Sequence, residues 1–266
     1  MTYPSNLTAV LDLEGPSAAG TTSNDLDYDV DGVRCRGYLS RPDDDQTHPG
    51  VLVLHEWTGI GDYVRMRADM LARLGYIALA ADLYGADVRP TPQEAPAIAG
   101  RYYDDQPLLR SRLVGSFETL LAQPGVDPQA TAAIGYCFGG AAALQLARTG
   151  IDVGGVVSFH GTLQTGPAGE AAGIRAKLLV LHGAADPMVP DADITALQDE
   201  LRAARTLDWQ LTAYSGAMHA FTMPHVDAPE HGAQFNPIVE RRSWQAMKSF
   251  LTEVFSDVSS RHPSPS

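Results

Sequence analysis

Four short runs of Val, Leu, Ile and Ala punctuate the chain: GVLVLH (50–55), YIALAADLY (76–84), TAAIGY (131–136) and KLLVLHG (177–183). Each is apolar almost throughout rather than alternating, the pattern of a strand covered on both faces. GGVVSFHG (154–161) and WQLTAY (209–214) make a fifth and a sixth. Between them, apolar residues recur at helical spacing over 64–75, 141–150 and 193–205, and again over 241–255 at the end of the chain. Gly75 and Gly150 stand where two of these helices should stop. Strand alternating with helix predicts βαβ units, hence a mostly parallel central sheet with helices on both faces. The segment YDVDGVRCRGYLSRP (28–42) reads instead as an antiparallel hairpin at the sheet edge, with Asp31-Gly32 as its turn.

The polar stretches mark the limits of this pattern. Residues 1–24 are rich in Gly, Ser, Thr and Asp and read as a loose N-terminal arm. Residues 25–258 form one α/β domain, and 259–266, ending RHPSPS, read as a flexible tail. No linker or internal repeat divides the 266 residues. The formal net charge of −13 argues against nucleic acid and against an anionic membrane surface as partners. The N-terminus has no basic, then apolar, leader, and no run approaches the length of a membrane span, so the expected location is the cytoplasm. Cys35 and Cys137, the two cysteines, are then expected as reduced thiols.

In open α/β sheets, chemistry gathers at the carboxyl ends of the strands. Gly135-Tyr136-Cys137-Phe138-Gly139 sits at such an end, between an apolar strand and an alanine-rich helix. Gly-x-Cys-x-Gly is the spacing of a nucleophile elbow, with Cys in place of the commoner Ser. Glycine is needed because the turn is so sharp that Cβ atoms two residues away would collide. The N–H of Phe138 would then open a helix beside the sulfur, as an oxyanion donor. A nucleophilic thiol needs a base, and the base an orienting acid. Asp186 follows the strand at 177–183, and His219 follows the strand at 209–214. Cys137, Asp186, His219 is the nucleophile–acid–base order of the α/β-hydrolase fold. Trp57, after the strand at 50–55, would give the second oxyanion N–H. Glu56 beside it would raise the thiol's pKa and hold Cys137 in reserve. His55, His160, His182 and His219 all follow apolar runs, but no metal-ligand spacing such as HExxH is present, so no metal or other cofactor is expected. Cys35, in the hairpin, is most simply a packing residue.

GYCFGG, LHEWTG, ADLYG, LHGAADPMVP and GAMHAF, in this order and at these intervals, resemble the dienelactone hydrolase family over residues 28–255. The resemblance implies Cys137 as nucleophile, His219 as base, Asp186 as its orienter and Glu56 as the residue that activates the thiol. It places Trp57 and Phe138 at the oxyanion hole and Tyr84 near the substrate. The family's dienelactone-cleaving members hold a substrate carboxylate with an arginine four residues after the catalytic histidine. That position is Met223 here. A second arginine belongs in the helical segment after DLYG, where Arg89, Arg101 and Arg110 are candidates and Arg110 is carried forward. The expected activity is hydrolysis of small esters or lactones through a thioester on Cys137. The alternatives are thioester hydrolysis or acyl transfer on a neutral or aromatic substrate, with Phe221 and Met223 adding to an apolar acyl site. A binding module or a metal-dependent hydrolase is the reading from outside that class.

Overall fold

The computed structural model describes residues 2–205 and 207–261, the side chains of 257–261 excepted. The edge hairpin is β1 (Thr21–Val30) and β2 (Val33–Pro42). Asp31 and Gly32 between them have φ of 51° and 73°, the left-handed pair that a two-residue turn requires. The strands that follow are β3 (His48–Leu54), β4 (Ile77–Ala81), β5 (Val126–Tyr136), β6 (Gly155–Phe159), β7 (Lys177–Gly183) and β8 (Trp209–Tyr214). They form one eight-stranded sheet in the order β1-β2-β4-β3-β5-β6-β7-β8. β1 and β2 pair antiparallel, β2 meets β4 antiparallel, and every pairing from β4 to β8 is parallel. This is the expected α/β-hydrolase architecture. A short pair, β9 (Asp227–Ala228) and β10 (Ala233–Gln234), lies beyond β8.

The continuous apolar runs are explained by two cores. Val51 and Val53 of β3 enter one core, Leu52 and Leu54 the other, because side chains alternate across a strand. The first core is closed by α1 (Ser5–Leu11), α2 (Asp62–Arg73) and α7 (Pro237–Arg261). The second is closed by α3 (Ala95–Asp104), α4 (Gln106–Leu121), α5 (Phe138–Arg148) and α6 (Asp191–Ala203). The run at 76–84 is a strand only to Ala81. There the buried Asp82 carboxylate turns the chain by accepting from the N–H groups of Arg36 and Gly85, each at 3.0 Å. Among the described residues no helix is long and apolar enough to cross a membrane.

Two boundaries differ from expectation. The arm at 1–24 is not loose: Leu7, Val10 and Leu11 recur at helical spacing, and α1 buries them with Tyr3. β1 then begins at Thr21, inside the same segment. Composition hid this because the Gly- and Ser-rich residues flank the helix without belonging to it. Polar contacts fasten the arm. Arg73 Nη1 donates to the carbonyls of Leu11 and Glu14 at 3.0 and 2.8 Å. The Glu14 carboxylate accepts from Trp244 Nε1 at 2.6 Å and from Lys248 Nζ at 2.8 Å. At the other end α7 continues through Arg261, into the expected tail, because neither Gly nor Pro interrupts it before Pro263. The rest of that tail, 262–266, lies outside the described residues.

Glu14→Ala strips the buried indole N–H of its acceptor, so unfolding in urea should show a loss of about 1–3 kcal/mol with an unchanged slope.

Candidate active site

β5 runs into α5 through a single residue, Cys137, whose φ of 55° and ψ of −115° an L-residue rarely adopts. The glycines around it are steric necessities. A Cβ on Gly135 would lie 1.9 Å from the carbonyl oxygen of Gly139, and one on Gly139 would lie 2.2 Å from that of Leu54. Gly140 has no more room, with the Phe159 carbonyl oxygen 2.9 Å from where its Cβ would stand. Helix α5 therefore starts in contact with the end of β3. Phe138 opens it, and among the described residues its N–H has no acceptor, like that of Trp57 in the loop after β3. The Phe138 side chain is fully buried, ringed by His55, Tyr84, Tyr102 and Tyr103.

Asp186, just past β7, and His219, in the loop after β8, converge on this turn although 82 residues separate His219 from Cys137. His219 Nδ1 lies 2.8 Å from Asp186 Oδ2, and His219 Nε2 lies 3.0 Å from Cys137 Sγ. Asp186 spends its other oxygen on the Met188 N–H at 2.9 Å, which fixes the carboxylate plane. Backbone bonds from the His219 N–H to the Gly232 carbonyl and from the Gln234 N–H to the His219 carbonyl hold the loop in place. Burial opposes charge on His219. The Cys137 sulfur and the Asp186 carboxylate more than offset it, and the imidazole pKa is pushed up to about 10. His160, 5.3 Å away centroid to centroid, is held well below the usual range by burial and by the charge on His219.

Other expected site residues stand differently. Glu56 is buried, and burial raises its pKa, but both carboxylate oxygens are bonded to Thr58, through its N–H at 2.7 Å and its hydroxyl. The sulfur's partner is His219, not Glu56. Arg110, carried forward as a substrate ligand, is engaged elsewhere. It forms a paired salt bridge with Glu170 and also donates to Gln145, because α4 packs on α5 there. Arg89 is bound to Asp82 and to the Gly85 carbonyl. Arg101 makes no ion pair among the described residues and lines a cavity of about 210 Å³ with Tyr84, Val88, Ile98 and Tyr102. Met223 and Phe221 are packed in the first core, 4% and 0% exposed. Tyr84 donates its hydroxyl to the Trp57 carbonyl at 3.0 Å, so it braces the loop after β3. His55, also fully buried, bonds the Glu56 carbonyl through Nδ1 at 2.6 Å and accepts the Leu83 N–H at Nε2. Among the described residues, no three or more His, Cys, Asp or Glu could hold a metal ion together. Cys35 is buried and free.

Tyr103 was missed. Its ring stands edge-on to Phe138 at 5.3 Å, and burial, then charge at Cys137, pushes its hydroxyl up to about 12. Two adjacent tyrosines in an amphipathic helix carry no signal in the sequence that one of them packs against Phe138.

A model of the dienelactone hydrolase family matches residues 35–255. Among solved structures, a dienelactone hydrolase-like promiscuous phosphotriesterase from metagenomic libraries is 38% identical, with a TM-score of 0.84 over 88% of this chain and 99% of that one. A putative carboxymethylenebutenolidase of Saccharolobus solfataricus is 25% identical over 265 residues, 85% of this chain and 97% of that protein. A probable 2-oxo-3-(5-oxofuran-2-ylidene)propanoate lactonase of a Bradyrhizobium species is 28% identical over 238 residues, 85% of this chain and 92% of that protein.

Cys137→Ala removes the charge that raises His219 and leaves its burial in place. His219 should therefore titrate at lower pH in the variant than in the native protein, although Asp186 still supports its charge. Histidine-ring NMR across pH measures this, and equal midpoints would exclude the sulfur as the cause.

Proposed function

The chain belongs to the dienelactone hydrolase family and is a hydrolase, and we propose that it cleaves small uncharged esters or lactones through a thioester on Cys137. The observation that carries this reading is the unbroken line from Sγ through the His219 ring to Asp186, at 3.0 and 2.8 Å, beside two backbone N–H groups without an acceptor among the described residues.

The Cys137 thiolate attacks the carbonyl carbon. As the C–S bond forms, the carbonyl π pair moves onto oxygen, where the N–H groups of Trp57 and Phe138 receive it. When the intermediate collapses, the alkoxide leaves with the proton from the His219 imidazolium. Neutral His219 then takes a proton from water, the hydroxide attacks the thioester, and the thiolate departs, which restores the resting pair. Asp186 keeps the Nδ1 proton in place throughout, so that Nε2 always faces the chemistry. In this reading Glu56 takes no part in the proton path. Its carboxylate fixes the turn at Thr58 and so aims the Trp57 N–H.

The substrate's charge follows from what surrounds the thiol. Two of the three candidate arginines are neutralised by Glu170 and Asp82, Met223 stands where the family's carboxylate clamp would be, and the chain carries a net charge of −13. Of the three candidate arginines, Arg101 alone is left to meet a free carboxylate on the substrate, and the field of the protein repels that charge. Arg101, which has no ion-pair partner among the described residues, is the observation that favours the competing reading of an anionic substrate.

A panel of neutral activated esters, lactones, thioesters and phosphotriesters tests this, each ester paired with a carboxylate-bearing counterpart. The neutral member should show the higher kcat/KM. Preference for the anion, lost in Arg101→Ala, would reverse the assignment of charge. Cys137→Ala should show no turnover above background, and Asp186→Asn should lose about 10²–10⁴ in kcat. Full turnover by Cys137→Ala would sink the mechanism itself.

A further inference from the structure

A line of buried hydrogen bonds leads away from the backbone of Cys137. Its N–H reaches the Phe159 carbonyl at 3.0 Å and His160 Nδ1 at 3.2 Å. His160 Nε2 lies 2.6 Å from Thr222 Oγ1, which lies 2.7 Å from the Tyr63 hydroxyl. Tyr63 oxygen accepts from Arg67 Nε and Nη2 at 3.3 and 3.2 Å. Arg67 is fully buried and forms paired bonds of 2.8 Å with Glu240, while its Nη2 also donates to the Thr222 carbonyl at 3.0 Å.

The direction of these bonds follows from the donors available. A guanidinium has only donors. Tyr63 therefore accepts from Arg67, and its own proton is left for Thr222. The threonine oxygen accepts there and still has a second lone pair and its own proton to offer His160. A neutral imidazole carries one N–H, and His160 is held neutral by its burial and by His219. Cys137 offers an N–H, which needs a lone pair at Nδ1. That leaves the proton on Nε2, where the Thr222 oxygen can receive it. The Cys137 end therefore selects the tautomer, and Thr222 completes it as the acceptor. The other one would set two N–H groups against each other at the nucleophile's amide.

We propose that Thr222 and Tyr63 are positioning residues which, with the Arg67–Glu240 pair, lock His160 as the Nε2–H tautomer and so hold the Cys137 backbone in its strained turn. The relay also joins the two moving parts of the chemistry, because Thr222 stands three residues after His219 while Tyr63 and Arg67 belong to α2. Loss of the lock leaves the Cys137 N–H with the Phe159 carbonyl alone, and the sulfur and the Phe138 N–H lose their common aim. The inference rests on reading Cys137 as the nucleophile.

The test begins with the native protein labelled with ¹⁵N-histidine. His160 should show a protonated Nε2 and a bare Nδ1, and the reverse pattern overturns the proposal before any variant is made. Thr222→Val and Tyr63→Phe should shift the tautomer toward Nδ1–H. In both, kcat on a small activated ester should fall about tenfold at little-changed KM, the size of one lost orienting hydrogen bond. Thr222→Ser should restore both. An unchanged tautomer in Thr222→Val, or a switched tautomer with undiminished kcat, overturns the relay. Failure of the underlying reading would show separately, as turnover by Cys137→Ala.

Discussion

The contact between the start of α5 and the end of β3 governs the whole site. Gly139 passes so near the Leu54 carbonyl that no side chain fits between them. That approach forces the turn at Cys137, and the turn leaves the Phe138 N–H at a helix end, where it has no intrahelical acceptor. The loop after β3, with Trp57, begins at the same point. One steric constraint thus sets the sulfur and both candidate oxyanion donors against a shared reference. A strained backbone residue costs on the order of 1–3 kcal/mol, which the packed sheet on either side of β5 can support. The strain is tolerable because nothing at the turn can relax without separating α5 from the sheet.

Around this frame, two clusters of buried charge are kept apart by a neutral group. His219, Asp186 and Cys137 form one cluster, and Arg67 with Glu240 forms the other. His160 and Thr222 lie between them. A buried ion pair is weak evidence for stability, because its desolvation offsets much of its attraction, though losing one partner costs about 3–5 kcal/mol. Arg67 softens that cost by lying over the rings of Tyr63, Tyr136 and Trp244 at 5.1, 5.2 and 5.1 Å. What the pair adds beyond stability is direction. A donor-only group at one end of the line fixes the Tyr63 oxygen as an acceptor and leaves the Tyr63 proton for Thr222.

The parts of this picture that were legible in the sequence share one property: they are local and steric. A strand covered on both sides must be apolar throughout, so the runs from 50 to 183 stood out as strands, and WQLTAY, at the half-exposed sheet edge, was found by its place after a helix. A sharp turn must have glycine two residues away, so the elbow at Cys137 stood out. The meeting of His219 and Asp186 with the sulfur followed from their order on strand ends. What was not legible depends on choices of partner. Arg110 looked free for a ligand because Glu170, 60 residues on, gives no local sign of claiming it. Glu56 looked poised at the thiol because its bonds to Thr58 depend on the loop's exact curl. The helix at Ser5–Leu11 was lost in the composition of its neighbours, and Tyr103 in a pair of like residues.

Glu56 and the N-terminal helix prove to be parts of one feature. Pro4, Asn6 and Leu7 line a cavity of about 310 Å³ together with Glu56, Thr58, Tyr63 and His225. Residues 4–7 precede the segment matched to the family, which starts at residue 35, so this wall is supplied from outside the shared core. Cover from the arm helps to keep water from the Glu56 carboxyl, and burial is what raises its pKa. A carboxyl so enclosed must find its hydrogen bonds within reach, and Thr58 provides them. The turn that Thr58 closes also carries Trp57. The arm therefore bears on the loop that carries Trp57 through the solvation of one carboxyl, without touching the sulfur's own partners.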